Sequence, residues 1–183
     1  MTEHDRNAIA ELLALWREAG ADRWFAKDDA FDRRFRERFL ARHEAAARRE
    51  LDGWAETAEG ALALVLLLDQ LPRNAFRGTP RMYATDPLAR EIAGRALAEG
   101  HDRSVDPDLR LFLYLPFSHS EDLSDQRRAV ELFGLLDAEN EAHARGHHDI
   151  VARFGRFPHR NRILGRETTP EEQRFLDDGG FAG

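Results

Sequence analysis

Apolar residues recur along this chain at helical intervals, and no segment alternates as a strand would. Ile9, Leu12, Leu13 and Trp16 mark one amphipathic stripe. Phe31, Phe35 and Phe39 mark a second, with Asp28 or Asp29 placed to cap it. Residues 61–68 are apolar on every side, the pattern of a helix buried at the centre, and Pro72 is its expected stop. Asp86-Pro87 reads as a cap followed by proline in the first turn of a helix. That helix carries Leu88, Ile92, Ala96 and Leu97 and is stopped by Gly100. Pro107 opens a short apolar stretch that Pro116 closes. Leu123, Ala129, Val130, Phe133 and Leu136 mark a long helix after Ser120. Thr169 and Glu172 have capping-box spacing and start a final helix. The pattern therefore predicts an all-α fold of about seven or eight helices joined by short Gly/Pro turns. Stacked antiparallel helix pairs are the simplest packing for such lengths. No linker or low-complexity stretch divides residues 1–183, which are read as a single all-helical domain.

Composition narrows the function. The chain has 183 residues, with 42% hydrophobic and 33% charged, a soluble globular balance. It has no cysteine, which excludes disulfides, thiolate metal sites and cysteine nucleophiles and fits a cytoplasmic protein. The beginning lacks the basic-then-apolar plan of a signal peptide, and residues 61–68 fall far short of the roughly 20 needed to span a bilayer. A net charge of -7 argues against nucleic acid as a partner. No phosphate-binding glycine loop, dinucleotide fingerprint or serine nucleophile elbow is present, and no cofactor is expected.

Against that acidic balance stand two near-echoes. Asp69-Gln70-Leu71-Pro72-Arg73-Asn74 and Gly155-Arg156-Phe157-Pro158-His159-Arg160-Asn161 both join an apolar residue and a proline to Arg-Asn. The second sits in a segment, residues 153–166, with five arginines and no acid. Arginine presents a planar fork of donors matched to carboxylate or phosphate, and asparagine adds a donor and an acceptor. Asp69, Gln70, Arg73, Asn74, Arg77, Arg156, Arg160, Asn161 and Arg166 are the candidate ligand-binding residues. Equally, such residues close the ends of helices or pair internally with an acid such as Asp69.

A second constellation is the turn Pro116-Phe117-Ser118-His119-Ser120-Glu121-Asp122. Ser118 and Glu121 have capping-box spacing, but capping does not account for His119. His119, Glu121 and His159 are the candidate acid–base residues. A serine–histidine pair could arise from Ser118 or Ser120 with a histidine distant in sequence, since neighbours in sequence rarely face each other. His143 and His147 share a helical face if their helix continues past Gly146. The metalloprotease Glu is missing between them, and no metal is assigned.

Read together, Trp24-Phe25, Phe31-Asp32, Trp54, the Asp69–Asn74 run, Arg77-Gly78-Thr79, His119-Ser120-Glu121-Asp122, His147, residues 153–161 and Leu164-Gly165-Arg166 form an ordered series. That series resembles the bacterial domain-of-unknown-function family numbered 924, over roughly residues 16–175. Leu71 stands where Phe is more usual in the family, and Ser118 where an acid is common. The resemblance implies a tetratricopeptide-like, right-handed stack of helix pairs and implies no activity.

Three readings follow. In the first, the Arg, Asn and His residues gather in one cleft around a small anionic or polar molecule. In the second, the stack is an interaction module for a protein or peptide partner. In the third, the motifs are internal ion-pair locks. The first is preferred for economy, because two Arg-Asn elements and a histidine turn exceed what capping requires.

Overall fold

In the computed structural model, which describes residues 1–181, Thr2 opens the first helix with a reciprocal capping box. Its hydroxyl accepts from the Asp5 N–H while the Asp5 carboxylate accepts from the Thr2 N–H. The helix α1 (Glu3–Ala19) then buries Ile9, Leu12, Leu13 and Trp16, the stripe read from the sequence. A single turn, α2 (Ala21–Trp24), leads to α3 (Asp29–Ala47). Asp28 is the residue that caps α3, accepting from the N–H groups of Ala30 and Phe31. The Trp16 ring lies 5.2 Å from Phe35, 5.9 Å from Phe31 and 5.3 Å, edge-on, from Phe112. Such ring pairs contribute about 0.5–1.5 kcal/mol each beyond the area they bury.

The buried helix does not stop at Pro72. The helix α4 (Ala58–Val65) widens into a π turn, Leu66–Gln70, and continues as α5 (Leu71–Ala75) with Pro72 inside it. Proline has no N–H to offer the Leu68 carbonyl, and its ring crowds a regular turn. Widening keeps the backbone bonded up to the ring, with the Leu71 N–H donating to Leu66. Side chains take the carbonyls left over. His43 Nδ1–H donates to Leu67 at 2.9 Å, and the Thr85 hydroxyl donates to Leu68 at 2.5 Å. His43 lies four residues beyond Phe39, on the same buried stripe of α3. The wide turn thus holds Asp69 and Gln70 in the interior, one turn ahead of Arg73 and Asn74.

Thr85 stands at the cap of α6 (Asp86–Ala98), so Asp86 is its first helical residue, not the cap expected. The helix α7 (Leu111–Ser118) runs through Pro116 and does not end there. Asp122 caps α8 (Leu123–Gly134), and Ser118 closes α7, so the expected Ser118–Glu121 capping box is not formed. After residues 135–137, α9 (Ala138–Phe154) passes straight through Gly146. An exposed glycine costs a helix only about 1 kcal/mol relative to alanine, and burial of Ala144, His147 and Val151 holds this one. Finally α10 (Pro170–Asp177) begins with the capping box read from Thr169 and Glu172.

All regular elements among the described residues are helical. None of those helices is long and apolar enough to cross a membrane. The chain sorts into two compact units, one of Met1–Arg77 with Arg81–Pro116, the other of Gly78–Pro80 with Phe117–Gly183. The first is centred on the Trp16 aromatics and on residues 60–65 of α4, which are all buried. In the second, Phe117, Ala129, Phe133, Ala144, Val151 and Phe157 are buried.

One glycine in the first unit is fixed by a close approach. A Cβ on Gly60 would lie 2.0 Å from the Trp54 carbonyl oxygen. Gly60→Ala should therefore lower unfolding stability by about 3 kcal/mol or more in urea denaturation. Gly53, whose Cβ would meet nothing within 4 Å, should accept alanine within about 0.5 kcal/mol.

Candidate functional site

The two Arg-Asn elements fall in different units, and each meets acids of its own. In the first unit the Arg73 guanidinium forms a fork on Asp86, with Nη1 donating at 2.8 Å and Nη2 at 3.0 Å. Nη1 also donates to the Asp69 backbone carbonyl at 2.6 Å and lies 3.2 Å from its carboxylate. Burial works against the charge on Arg73, but Asp69 and Asp86 overcome it and raise its pKa. Gln70 donates to Asp69 Oδ2 at 2.6 Å. Asp32 is shared by the remaining members, accepting from Asn74 Nδ2 at 2.6 Å and from Arg77 Nε at 2.8 Å. All five candidates of this element are thus bonded within the chain.

In the second unit the hub is Glu172, at the start of α10. Arg156 forks onto its carboxylate at 2.6 and 2.9 Å, Asn161 donates at 3.2 Å, and the Thr169 N–H donates at 2.8 Å. The Arg156 bond, with Thr169 and Asn161 adding to it against the opposing effect of burial, lowers the Glu172 pKa to about 2. A second hub is Glu121, just before α8. Arg166 forks onto it at 2.6 and 2.9 Å, and the Phe157 N–H donates to it at 2.8 Å. Burial opposes ionisation of Glu121, but Arg166 and Phe157 outweigh it and lower its pKa. Arg166 Nε also donates to Asn161 Oδ1 at 3.0 Å, joining the two hubs. The segment that has no acid of its own therefore draws its acids from Glu121 and from α10.

The structure gathers the rest of the second unit's candidates elsewhere. Ser118 Oγ and His147 Nδ1 are 2.8 Å apart, a serine–histidine pair of the kind anticipated. The His143 ring lies 4.6 Å from that of His147, edge to face. Both fall on one face of α9 because the helix continues through Gly146. Phe157 lies 5.6 Å from His147 and 5.6 Å from His159, and the Arg160 guanidinium sits 4.6 Å over its ring. His159 Nδ1 is buried and has no hydrogen-bond partner among the described residues.

Electrostatics sets the character of this cluster. Burial, then His143, His119, Arg160 and His159, lower the His147 pKa to about 3. Burial, with Arg160, lowers that of His159 to about 4 although Glu121 opposes the shift. Both imidazoles are neutral at pH 7. In a hydrolase triad an acid would stabilise the imidazolium, whereas the strongest neighbours of His147 disfavour it. Ser118 is also fully buried, so its hydroxyl fixes the His147 ring instead of attacking a substrate. Among the described residues no group of three His, Asp or Glu side chains is placed to hold a metal ion.

Sequence reading missed Glu172 and Asp86 as partners of the arginines, although it had noted both as helix-start residues. It also left His143 outside the candidates. The signal available was the four-residue interval from His143 to His147, weakened by the glycine between them.

Two outcomes are expected of the locks. Arg73→Ala leaves Asp69 and Asp86 without their cation and should cost about 3–5 kcal/mol by urea denaturation. For Glu172 the folded pKa near 2 lies below the ordinary 4.5, so the unfolded chain binds more protons between those values. Its contribution is full above pH 4.5 and is lost as pH falls toward 2. Glu172→Gln should lower stability at neutral pH and flatten the decline below pH 4.5. The decline that begins below pH 6.5, which His147 and His159 generate by staying neutral when folded, should remain.

The family model described as "Bacterial protein of unknown function (DUF924)" matches residues 12–180 of this chain. A solved structure, a protein of unknown function ATU0120 from Agrobacterium tumefaciens, is 59% identical and superposes with a TM-score of 0.93. The match covers 95% of this chain and 99% of that one. No curated protein matches the chain at a significant level. With its motif residues in place and nearly its whole length matched, the chain belongs to the DUF924 family of bacterial proteins of unknown function.

Proposed function

We propose that the second unit binds a small anionic or polar molecule at the cluster of His119, His143, His147, His159 and Arg160, and that the surrounding Arg-Asn elements are locks that hold this cluster. The observation that carries the reading is His159 Nδ1, buried without a hydrogen-bond partner among the described residues. A buried polar atom left unmet costs about 1–3 kcal/mol, and an oxygen of a bound ligand would recover it. The Arg160 guanidinium, 4.6 Å over the Phe157 ring, adds positive charge to the same cluster.

The division of labour revises the candidate roles. Glu121 serves Arg166 and the Phe157 N–H, so it acts as a lock, not as an acid–base group. His159, held neutral at pH 7, is the group that would donate a hydrogen bond to an oxygen of a bound molecule. His147 is oriented by Ser118. The hairpin of α8 and α9 is the type of unit from which tetratricopeptide-like stacks are built, and the proposal takes the arrangement to be of that class. A sequence without cysteine supports a cytoplasmic setting.

The test is an imidazole NMR titration with inorganic phosphate, sulfate and acetate at low salt. Saturable shifts are expected at His159 and His119. His159→Gln should weaken the tightest of these anions by about tenfold, a loss of ~1.4 kcal/mol, with the melting temperature within a few degrees of the parent. Absence of saturable shifts at any of the clustered histidines would remove the proposal.

A further inference from the structure

One ring in the imidazole cluster belongs neither to the locks nor to the α8–α9 hairpin. The Phe181 ring stands edge-to-face against His147 at 4.6 Å and against His159 at 5.1 Å. It is nevertheless 37% exposed, among the few large apolar side chains so placed. The backbone brings it there deliberately. At the end of α10 the Gly180 N–H donates to the Phe175 carbonyl and the Gly179 N–H to that of Leu176, the paired bonds of a Schellman turn. Gly179 takes the left-handed φ of 84° that this turn needs. A Cβ on Gly180 would lie 2.5 Å from the Phe175 oxygen, so the chain passes too close for any other residue. The turn reverses the chain, and Phe181 is the first large side chain after it.

We propose that Phe181 is an intramolecular placeholder for the ligand, and that the cluster takes a planar ring carrying one anionic group. The inference rests on the anion-binding reading above. The walls are themselves rings: Phe157, His147 and His159 lie within 5.6 Å of one another in the pairs Phe157–His147 and Phe157–His159. Phe181 meets the two imidazoles at interplanar angles of 79° and 83°, the edge-to-face geometry that aromatic rings prefer. A free aromatic acid entering in its place would keep those ring contacts. Its carboxylate or phosphate would add what phenylalanine lacks, an oxygen for His159 Nδ1. The ligand must displace Phe181 to enter, so its apparent affinity is reduced by the fraction of molecules in which Phe181 is withdrawn. Phe181 thus also sets the threshold at which the site fills.

The experiment compares the full chain with Phe181→Ala, titrated calorimetrically with benzoate, cyclohexanecarboxylate and inorganic phosphate. Phe181 is partly exposed, and the variant should melt within a few degrees of the parent. Benzoate should bind Phe181→Ala about tenfold tighter than the parent, while cyclohexanecarboxylate and phosphate gain less than about twofold. A gain shared equally by cyclohexanecarboxylate overturns the requirement for a planar ring. Equal benzoate affinity in the two proteins overturns the placeholder. If phosphate then still binds and His159→Gln still weakens it, the anion site survives and only this inference fails. If none of the probes binds either protein, both fail together.

Discussion

The carboxylate of Glu172 is the point on which the second unit turns. It accepts from Arg156, from Asn161 and from the N–H of Thr169, the cap of its own helix. A carboxylate in that position does three things at once. It neutralises a half-buried guanidinium, satisfies an amide that is wholly buried, and fixes where α10 begins. Asn161 then passes the constraint on, because its carbonyl oxygen accepts from Arg166, which is held by Glu121. The strand of interactions from α10 to the start of α8 therefore consists of charge-assisted bonds, stronger than neutral ones and demanding in geometry. Phe157, between the arginines, is bound through its N–H to Glu121 and through its carbonyl to Arg166. Its ring is the wall on which Arg160 and the histidines rest.

The first unit solves a related problem by bending its backbone. Pro72 deprives Leu68 of a donor in the middle of an otherwise apolar helix, and the π turn with His43 and Thr85 repairs the loss. That repair determines where Asp69 points, and Asp69 with Asp86 determines that Arg73 stays charged in the interior. The two similar runs thus both place an asparagine against a distant acid, Asn74 on Asp32 and Asn161 on Glu172, through different local structures. One follows a π turn inside a helix. The other follows a left-handed Gly155 at the end of α9 and a single tight turn from Pro158 to Arg160.

What the sequence made legible follows from the range of the interactions. Stripes such as Ile9–Trp16 and Phe31–Phe39 repeat every three or four residues, and burial selects them, so they were read correctly. Caps at Asp28 and Thr169 are equally local and were read too. The stops expected at Pro72 and Pro116 failed because tertiary burial maintains a helix that local propensity disfavours, and the caps expected at Asp86 and Ser118 fell to neighbouring residues. The partners of the arginines were invisible for a different reason. Asp32 lies 45 residues from Arg77, and Glu121 lies 45 from Arg166. Nothing in a spacing pattern announces such a pair. His159 was named as a candidate, but that its Nδ1 lacks a hydrogen-bond partner among the described residues is a property of the packed structure alone.

Separating locks from the imidazole cluster limits what that cluster can hold. His147 and His159 are held neutral by burial, so neither serves as a counter-ion at pH 7. Each can donate one hydrogen bond and accept one. The Arg160 guanidinium lies over the Phe157 ring, and Arg156 and Arg166 are bonded to Glu172 and Glu121. In the proposed site a polyphosphate would meet two imidazoles that resist protonation. In that proposal a singly charged group asks less of these neutral imidazoles and leaves the rings to contact rings. The aromatic walls and the neutral imidazoles therefore favour, for the proposed site, recognition more by shape than by charge.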